Sequence, residues 1–452
     1  MRKLFGTDGV RGIVVKELSC DLAMKIGIAV SFVLTKHCKN SPKILIGRDT
    51  RISGQMLESA LVSGICFAGA DCFLTGVIAT PAISFLVEKY GFDAGIMISA
   101  SHNPAEFNGI KIFNSFGLKL SDELEFEIEN FIDSYDKNRK FSLKNNNIFG
   151  KCTYCENAVN DYVNHICETV NENLNGIKVA VDCANGSACS TALEIFKKLE
   201  INADFFNVKP NGYNINLNCG STNINKFANF IKNMNYDLGV AFDGDADRCL
   251  AVSGDGQVID GDQLIAIFAK NMKLNGRLFK NTMVVTVMSN LGIFNFAKKN
   301  DINLEVTKVG DRYVLKNMLE NDYKIGGEQS GHIIFKDFAK TGDGQLTAIQ
   351  LVNCIKQSNN NFYELAGLVK KMPQVLIGVR ANSKQKELYF KNKEISNYIA
   401  QKQKYLGQNS RILVRCSGTE PLIRIMIEGP NIELIKQTSQ DLAKKIEKVV
   451  SL

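Results

Sequence analysis

Residues 237–248 read DLGVAFDGDADR, a short apolar run that ends in three alternating carboxylates. Apolar runs of about four to eight residues, rich in Val, Ile or Leu, suit strands buried on both faces of a sheet. The pattern recurs along the chain. KILIGRDTR (43–51) and AGIMISASHN (94–103) precede it, as does IKVAVDCANG (177–186). TMVVTVMSN (282–290) and YKIGGEQSG (323–331) follow it. Every run ends in polar residues, and ligands of open α/β sheets gather outside the carboxyl ends of the strands.

Between these runs lie helical patterns. SGQMLESALVSGICFAG (53–69) spaces its apolar residues by three and four, with Ser53 as the expected cap. Alternating strand and helix predicts α/β domains with mainly parallel, mixed sheets, and the similar segments suggest internal repeats of pattern. The Asn-rich stretch NRKFSLKNNNIFG (138–150) reads as a joint, and a second is expected after the acidic loop. Near residue 370 the pattern changes to PQVLIGVRA, then RILVRCSGTEPLIRIMIEG, then a helical tail. The expected domains are therefore 1–150, 151–252 and 253–370, all α/β, and a C-terminal α+β domain over 371–452.

Composition narrows the functional classes. With 452 residues, 45% hydrophobic and 22% charged, the chain has ample material for several soluble globular domains. A net charge of +7 without a basic block gives no nucleic-acid arm. The start lacks a signal-peptide pattern and no run is long enough to span a membrane. The 13 cysteines then read as reduced thiols of a cytoplasmic protein. The lone CxxC, Cys152 to Cys155, has no second pair to complete a zinc site.

Four stretches carry the chemistry. In FDGDADR, Asp243, Asp245 and Asp247 repel one another unless a cation joins them, and hard oxygen ligands suit Mg²⁺. An EF-hand starting at Asp243 would need Gly at its sixth position and Glu at its twelfth, where Arg248 and Gly254 stand. An aspartyl phosphatase or a solvated acidic turn remains open on this loop alone. In SASHNP, Ser101 and His102 follow a buried strand without the G-x-S-x-G elbow of a hydrolase. RCSGTEPLIR (415–424) combines Arg415, Ser417, Gly418 and Thr419, the donors a phosphate dianion needs. In GGEQSGH, Glu328, Ser330 and His332 alternate, which on an extended segment turns all three to one side.

In chain order, FGTDGVRG, ISASHNP, FDGDADR, GEQSGH and RCSGTEP resemble the signature loops of the α-D-phosphohexomutases. The likeness runs from residue 5 to 421, with the forms of the bacterial branch that acts on glucosamine phosphates. It implies four domains around a central cleft and an active-site phosphoserine at Ser101. It further implies one Mg²⁺ per subunit on Asp243, Asp245, Asp247 and the seryl phosphate, and a sugar bisphosphate as intermediate and activator. Lys111 and Arg11 would manage proton transfer, with His102 beside the serine. Arg248, Glu328, Ser330, His332 and the Arg415–Thr419 loop would bind substrate, and the KVGDR loop (308–312) would bear on sugar choice. The partners implied are small sugar phosphates, not nucleic acid or membrane, with a homodimer left open. Same-fold mutases acting on glucose or mannose phosphates are the nearest alternative, ahead of a phosphomonoesterase.

Overall fold

All five residues of the run Ala94–Ile98 are buried, as expected for a strand covered on both faces. The computed structural model describes residues 4–6, 8–36, 41–138, 149–358, 362–417 and 421–450. Among these, the first sheet holds β1 (Phe5–Gly6), β2 (Gly9–Ile13), β3 (Lys43–Arg48), β4 (Asp71–Val77), β5 (Ala94–Ile98), β6 (Phe107–Asn114) and β7 (Cys152–Tyr154). Their order is β1-β2-β6-β5-β3-β4-β7. The second sheet holds β8 (Lys178–Asp182), β9 (Asn202–Phe206), β10 (Leu238–Phe242), β11 (Cys249–Ser253) and β12 (Val258–Ile259), in order β12-β11-β10-β8-β9. The third holds β13 (Thr282–Thr286), β14 (Asn303–Thr307), β15 (Ile325–Gly327) and β16 (Ile333–Phe335), in order β14-β13-β15-β16.

The repeat suggested by the apolar runs is a repeat of topology. Each sheet contains the series β4-β3-β5-β6, β9-β8-β10-β11 or β14-β13-β15-β16. In each, the first three strands are parallel and the fourth runs antiparallel to its neighbour. The loop joining the third and fourth strands therefore leaves the carboxyl end of a buried parallel strand every time. Those three loops are Ser99–Glu106, Asp243–Arg248 and Glu328–His332, the stretches singled out for chemistry.

The helix Gly54–Phe67 forms where the apolar spacing places it, and Ser53 does occupy the N-cap position. Its side chain makes no cap hydrogen bond, because its backbone is helical (φ −71°, ψ −12°). The hydroxyl instead accepts from Asn108 Nδ2 at 2.9 Å. Farther along the chain the cap chemistry does form: Asp260 accepts from Gln263 N and Gln263 returns the bond, a capping box for Gly261–Leu274.

The chain folds as two compact units. One comprises residues 1–287 and 303–367, with the three sheets above. The other comprises 288–302 and 368–452. Its sheet is wholly antiparallel: β17 (Gln374–Arg380), β18 (Arg411–Cys416) and β19 (Leu422–Glu428), in order β17-β19-β18. The tail helix Ile432–Val450 covers it with Ile435, Leu442, Ile446 and Val450 on Ile423, Ile425 and Ile427. Burying each such aliphatic side chain contributes about 1.5–3 kcal/mol. The segment 288–302 joins this unit through Asn290, which bonds the buried carboxylate of Glu428 (2.9 Å) and both Met372 backbone groups.

Candidate active site

Ser101 stands just past the end of β5, fully buried, in the left-handed backbone region (φ 51°). Its hydroxyl donates to Asp243 Oδ2 at 2.6 Å and lies 3.3 Å from His102 Nδ1. A non-glycine residue there is strained, and the surroundings hold it in place. Ser101 N–H donates to Ser99 Oγ (2.9 Å), and Ser99 donates to Asp49 Oδ2 (2.7 Å). Asp49 in turn pairs with the fully buried guanidinium of Arg51 at 2.9 Å. Arg51 also donates to the carbonyls of Ser101 (3.0 Å), Asn103 (2.8 Å), Phe107 (3.1 Å) and Pro104. Ser99 is thus a support for the serine loop, and Arg51 is its keystone.

The acidic loop faces this serine. Asp243, Asp245 and Asp247 are buried, and one oxygen from each lies within 4.8 Å of the others. They are the only group of three or more metal-ligating side chains among the described residues. Asp245 Oδ1 and Asp247 Oδ1 are buried without a hydrogen-bond partner. Buried carboxylate oxygens left unsatisfied and crowded together fit a hard divalent cation. Burial, then Asp247 and Asp245, push the Asp243 carboxyl well up from its ordinary value. Asp245 is further held by Thr80, which donates Oγ1–H to its carboxylate (2.5 Å) and N–H to its carbonyl (3.0 Å) at the start of the helix Thr80–Tyr90.

The cations lie as the charge balance requires. Lys111, on β6, is buried with Nζ 2.7 Å from Asp245, 2.9 Å from Asp8 and 3.2 Å from Asp247. Burial opposes its charge, but Asp245, Asp8 and Asp247 outweigh it and raise the ammonium well above its usual range. Arg248 Nε is 3.8 Å from Asp247, and its backbone N–H donates to Asp243 Oδ1 at 3.2 Å. Arg11 pairs with Asp8 at 3.5 Å. Burial, with Arg248 and Arg11 nearby, pushes His102 down to about 4, so its imidazole is neutral.

The segment Glu328–His332 corrects one expectation. It is a tight turn between β15 and β16, not an extended strand: Gly331 N–H donates to Glu328 O and Glu328 N–H to His332 O, each at 3.0 Å. The alternation therefore does not align the three side chains. Glu328 accepts from Gly310 N–H at 3.1 Å, while the Ser330 hydroxyl is buried without a partner. His332 lies between Asp247 (Nδ1, 3.7 Å) and Asp311 (Nε2, 3.3 Å). The Gly342 N–H also points at Nε2 from 2.9 Å and competes for it. Burial works against the charge, but Asp247 and Asp311 prevail and push the imidazole up to about 10. The protonated ring is thus favoured.

In the second unit, Arg415 and Ser417 sit at the end of β18, and Ser417 N–H closes on Leu422 O at 2.8 Å. Arg415 lies directly opposite Arg424 of β19. Gly418 and Thr419 lie outside the described residues.

Sequence reading missed Arg51, Asp8, Thr80, Lys119 and Arg424 as site residues. Arg51 carried a faint signal, an arginine two residues beyond the Asp that ends a buried strand. Thr80 and Lys119 carried none, since their contacts are all distant in the chain.

The phosphoglucomutase/phosphomannomutase models match in order: α/β/α domain I at residues 2–139, domain II at 160–256, domain III at 260–372 and the C-terminal domain at 376–445. A phosphoglucosamine mutase of Clostridium botulinum is 51% identical over 450 residues, covering all of both chains. The chain belongs to the phosphoglucomutase/phosphomannomutase family. Another relative, the phosphoglucosamine mutase of Acetivibrio thermocellus, is 48% identical over 447 residues, 99% of each chain. The solved phosphoglucomutase/phosphomannomutase family protein of Burkholderia thailandensis shares the fold, with a TM-score of 0.81, 22% identity, and coverage of 98% and 97%. Membership explains why three sheets repeat one topology and why the fourth domain departs from it.

Proposed function

We propose that the protein interconverts glucosamine 6-phosphate and glucosamine 1-phosphate by phosphoryl transfer through Ser101. The observation that carries this reading is the 2.6 Å bond between the buried Ser101 hydroxyl and Asp243 of the acidic cluster. The amino-sugar substrate rests on the names of the full-length phosphoglucosamine mutase relatives.

In the first half-reaction, the phosphoryl group on Ser101 Oγ passes to the 1-hydroxyl of the sugar. The Oγ–P bond breaks, an O1–P bond forms, and the hydroxyl proton is handed to the serine oxygen. Glucosamine 1,6-bisphosphate results. After it turns round, the 6-phosphoryl group returns to Ser101 by the same exchange, releasing glucosamine 1-phosphate with no water consumed. Sugar bisphosphate supplied from solution would prime an unphosphorylated serine.

Asp243, Asp245 and Asp247 would hold Mg²⁺, which withdraws charge from a transferring phosphoryl group. Lys111, Arg11 and His102 are the groups proposed to manage protons and charge around Ser101. Arg248, Glu328, Ser330 and His332 are proposed to orient the sugar. The partnerless Ser330 hydroxyl suits that task. Like charges on directly opposed strand positions repel, so the facing Arg415 and Arg424 favour an anion near them. With Ser417, Gly418 and Thr419 they would grip the phosphate that is not reacting. No described helix is long and apolar enough to cross a membrane. We place the reaction in the cytoplasm, feeding UDP-N-acetylglucosamine supply.

Relative kcat/KM for glucosamine 6-phosphate, glucose 6-phosphate and mannose 6-phosphate, with bisphosphate and Mg²⁺ present, tests the reading. Preference for the amino sugar supports it. Preference for glucose or mannose keeps the chemistry and overturns the substrate, and stoichiometric release of inorganic phosphate overturns the mutase itself.

A further inference from the structure

Six ionisable groups in the first unit, basic and acidic in alternation, close into a ring. Lys111 contacts Asp8 (2.9 Å), Asp8 contacts Lys119 (2.5 Å), and Lys119 contacts Asp311 (2.5 Å). Asp311 contacts His332 (3.3 Å), His332 contacts Asp247 (3.7 Å), and Asp247 returns to Lys111 (3.2 Å). Asp247 is itself a proposed metal ligand, Lys111 and His332 touch it, and Asp8 and Asp311 each touch one of those two. Lys119 is different: among the described residues it pairs with Asp8 and Asp311, so it bridges the two arms of the ring from the side away from the acidic loop.

Its backbone is built to aim it. Asn114 Oδ1 accepts from Phe116 N–H (3.0 Å) and Leu118 N–H (3.1 Å), closing the turn after β6. Ser84 pins that turn from the neighbouring helix by donating to Gly117 O at 2.5 Å. Asp311 opens the helix Asp311–Asn321 directly after Gly310, whose N–H is held by Glu328. The 310–312 segment is thus anchored by Glu328 on Gly310, by Lys119 and His332 on Asp311, and by Asp122 on Arg312, with Lys119 the shortest of the holds on Asp311. Burial opposes the Asp8 and Asp311 charges, but Lys119 helps hold both carboxyls well below their usual range. Without it, two part-buried carboxylates that repel each other would lose their shared cation.

We infer that Lys119 is a positioning residue for the proposed mutase reaction, holding Asp311 against His332 and Asp8 against Lys111 so that both arms stay aligned on the acidic loop. The inference rests on the mutase reading for its kinetic consequence and on geometry alone for its structural one. Small misplacements at a site of this kind cost up to about a hundredfold in rate.

The test is full-length Lys119→Met and Lys119→Arg, with Lys119→Gln should the methionine variant fail to fold. In Lys119→Met, amide hydrogen exchange at Gly310, Arg312 and Tyr313 is expected to quicken at least about tenfold as the Lys119 hold on Asp311 is lost. Turnover of glucosamine 6-phosphate is expected to fall about tenfold or more, chiefly in kcat, with Lys119→Arg restoring most of it. Unchanged exchange at those amides, or kcat/KM within about twofold of wild type, overturns the inference. If the wild type turns over no sugar phosphate, the mutase reading fails, and the exchange result still decides whether Lys119 holds the segment.

Discussion

Ser101 donates its hydroxyl to Asp243 across 2.6 Å, joining the loop after β5 to the loop after β10. Equivalent loops of two repeats thereby meet at the atom proposed to carry phosphate. A phosphate there would add about −1.5 to −2 at pH 7 to the charge of the three carboxylates. Lys111, buried against Asp245 and Asp247, and Arg248 beside Asp247 offset part of that charge, and a divalent cation would offset more.

Ser101→Ala removes the proposed carrier and leaves the folded framework in place. Turnover is expected to fall by at least about a thousandfold, as when a covalent nucleophile is lost. Thermal melting is expected to move little, because Asn216 and Arg51 hold the residue 101 carbonyl, not its side chain. Steady-state assay and a melting curve check both, and substantial residual turnover would remove Ser101 from the mechanism.

Chelation should abolish turnover, and Mg²⁺ should restore it. Mg²⁺ is also expected to raise the melting temperature, since a ligand at about 100 times its Kd stabilises the folded state by about 2.7 kcal/mol. Asp245→Asn should lose most of that thermal shift. A melting curve indifferent to Mg²⁺ in the wild type would count against the acidic loop as the metal site.

Arg51 is expected to matter more for stability than any residue the sequence singled out. Replacing it with Met leaves Asp49 as a buried carboxylate without its cation and removes donors from four carbonyls. Breaking a buried pair in this way costs about 3–5 kcal/mol. Urea unfolding measures it, and a loss below about 1 kcal/mol would contradict the role.

The residues that were legible in the sequence share a property: they sit at the ends of local patterns. Ser101 and the aspartates follow apolar runs whose burial can be read from composition, and the strand-end rule then points at them. Thr80 and Lys119 act through partners that are far away in the chain, as does Arg51 apart from Asp49, and no local periodicity encodes such a contact. The turn at Glu328–His332 was misjudged for a related reason. Alternation suggests extension, but Gly331 at φ 91° and the return bond between Glu328 and His332 decide for a turn. Ser53 shows the same limit, since its cap position is local while its bond to Asn108 is not.

Asp343 gives a pH test away from the acidic loop's oxygens. It is buried, accepts from Tyr162 (2.8 Å) and Leu346 N–H (2.9 Å), and burial pushes it from 3.8 up to about 6. A carboxyl raised on folding binds its proton more tightly in the folded state. Its contribution is fully present below about pH 4 and is lost as pH rises through 6. The loss amounts to about 3 kcal/mol. Asp343→Asn keeps an oxygen for Leu346 and has no charge to bury. The stability difference between variant and wild type should therefore shift in the variant's favour by about that amount between pH 4 and 7, read from urea melts at each pH. A flat difference would show that Asp343 does not titrate in this window.

Gly244 tests whether the meeting of the two loops is itself required. It stands between Asp243 and Asp245, and a Cβ there would come 2.6 Å from Ser101 O and 2.7 Å from Asn216 Nδ2. Both are held: the carbonyl by Arg51 and Asn216, and the amide by its bonds to the carbonyls of Ser101 and Asn103. Gly244→Ala must therefore push the acidic loop away from the serine loop. Overpacking of this kind costs about 1–3 kcal/mol. A shift of even about 1 Å between nucleophile and cluster is enough to lower turnover about a hundredfold. The expected outcome is a folded variant, modestly less stable, whose kcat falls far more than its stability would explain. Wild-type kcat in Gly244→Ala would mean that the 2.6 Å contact between Ser101 and Asp243 is not what positions the transferring group.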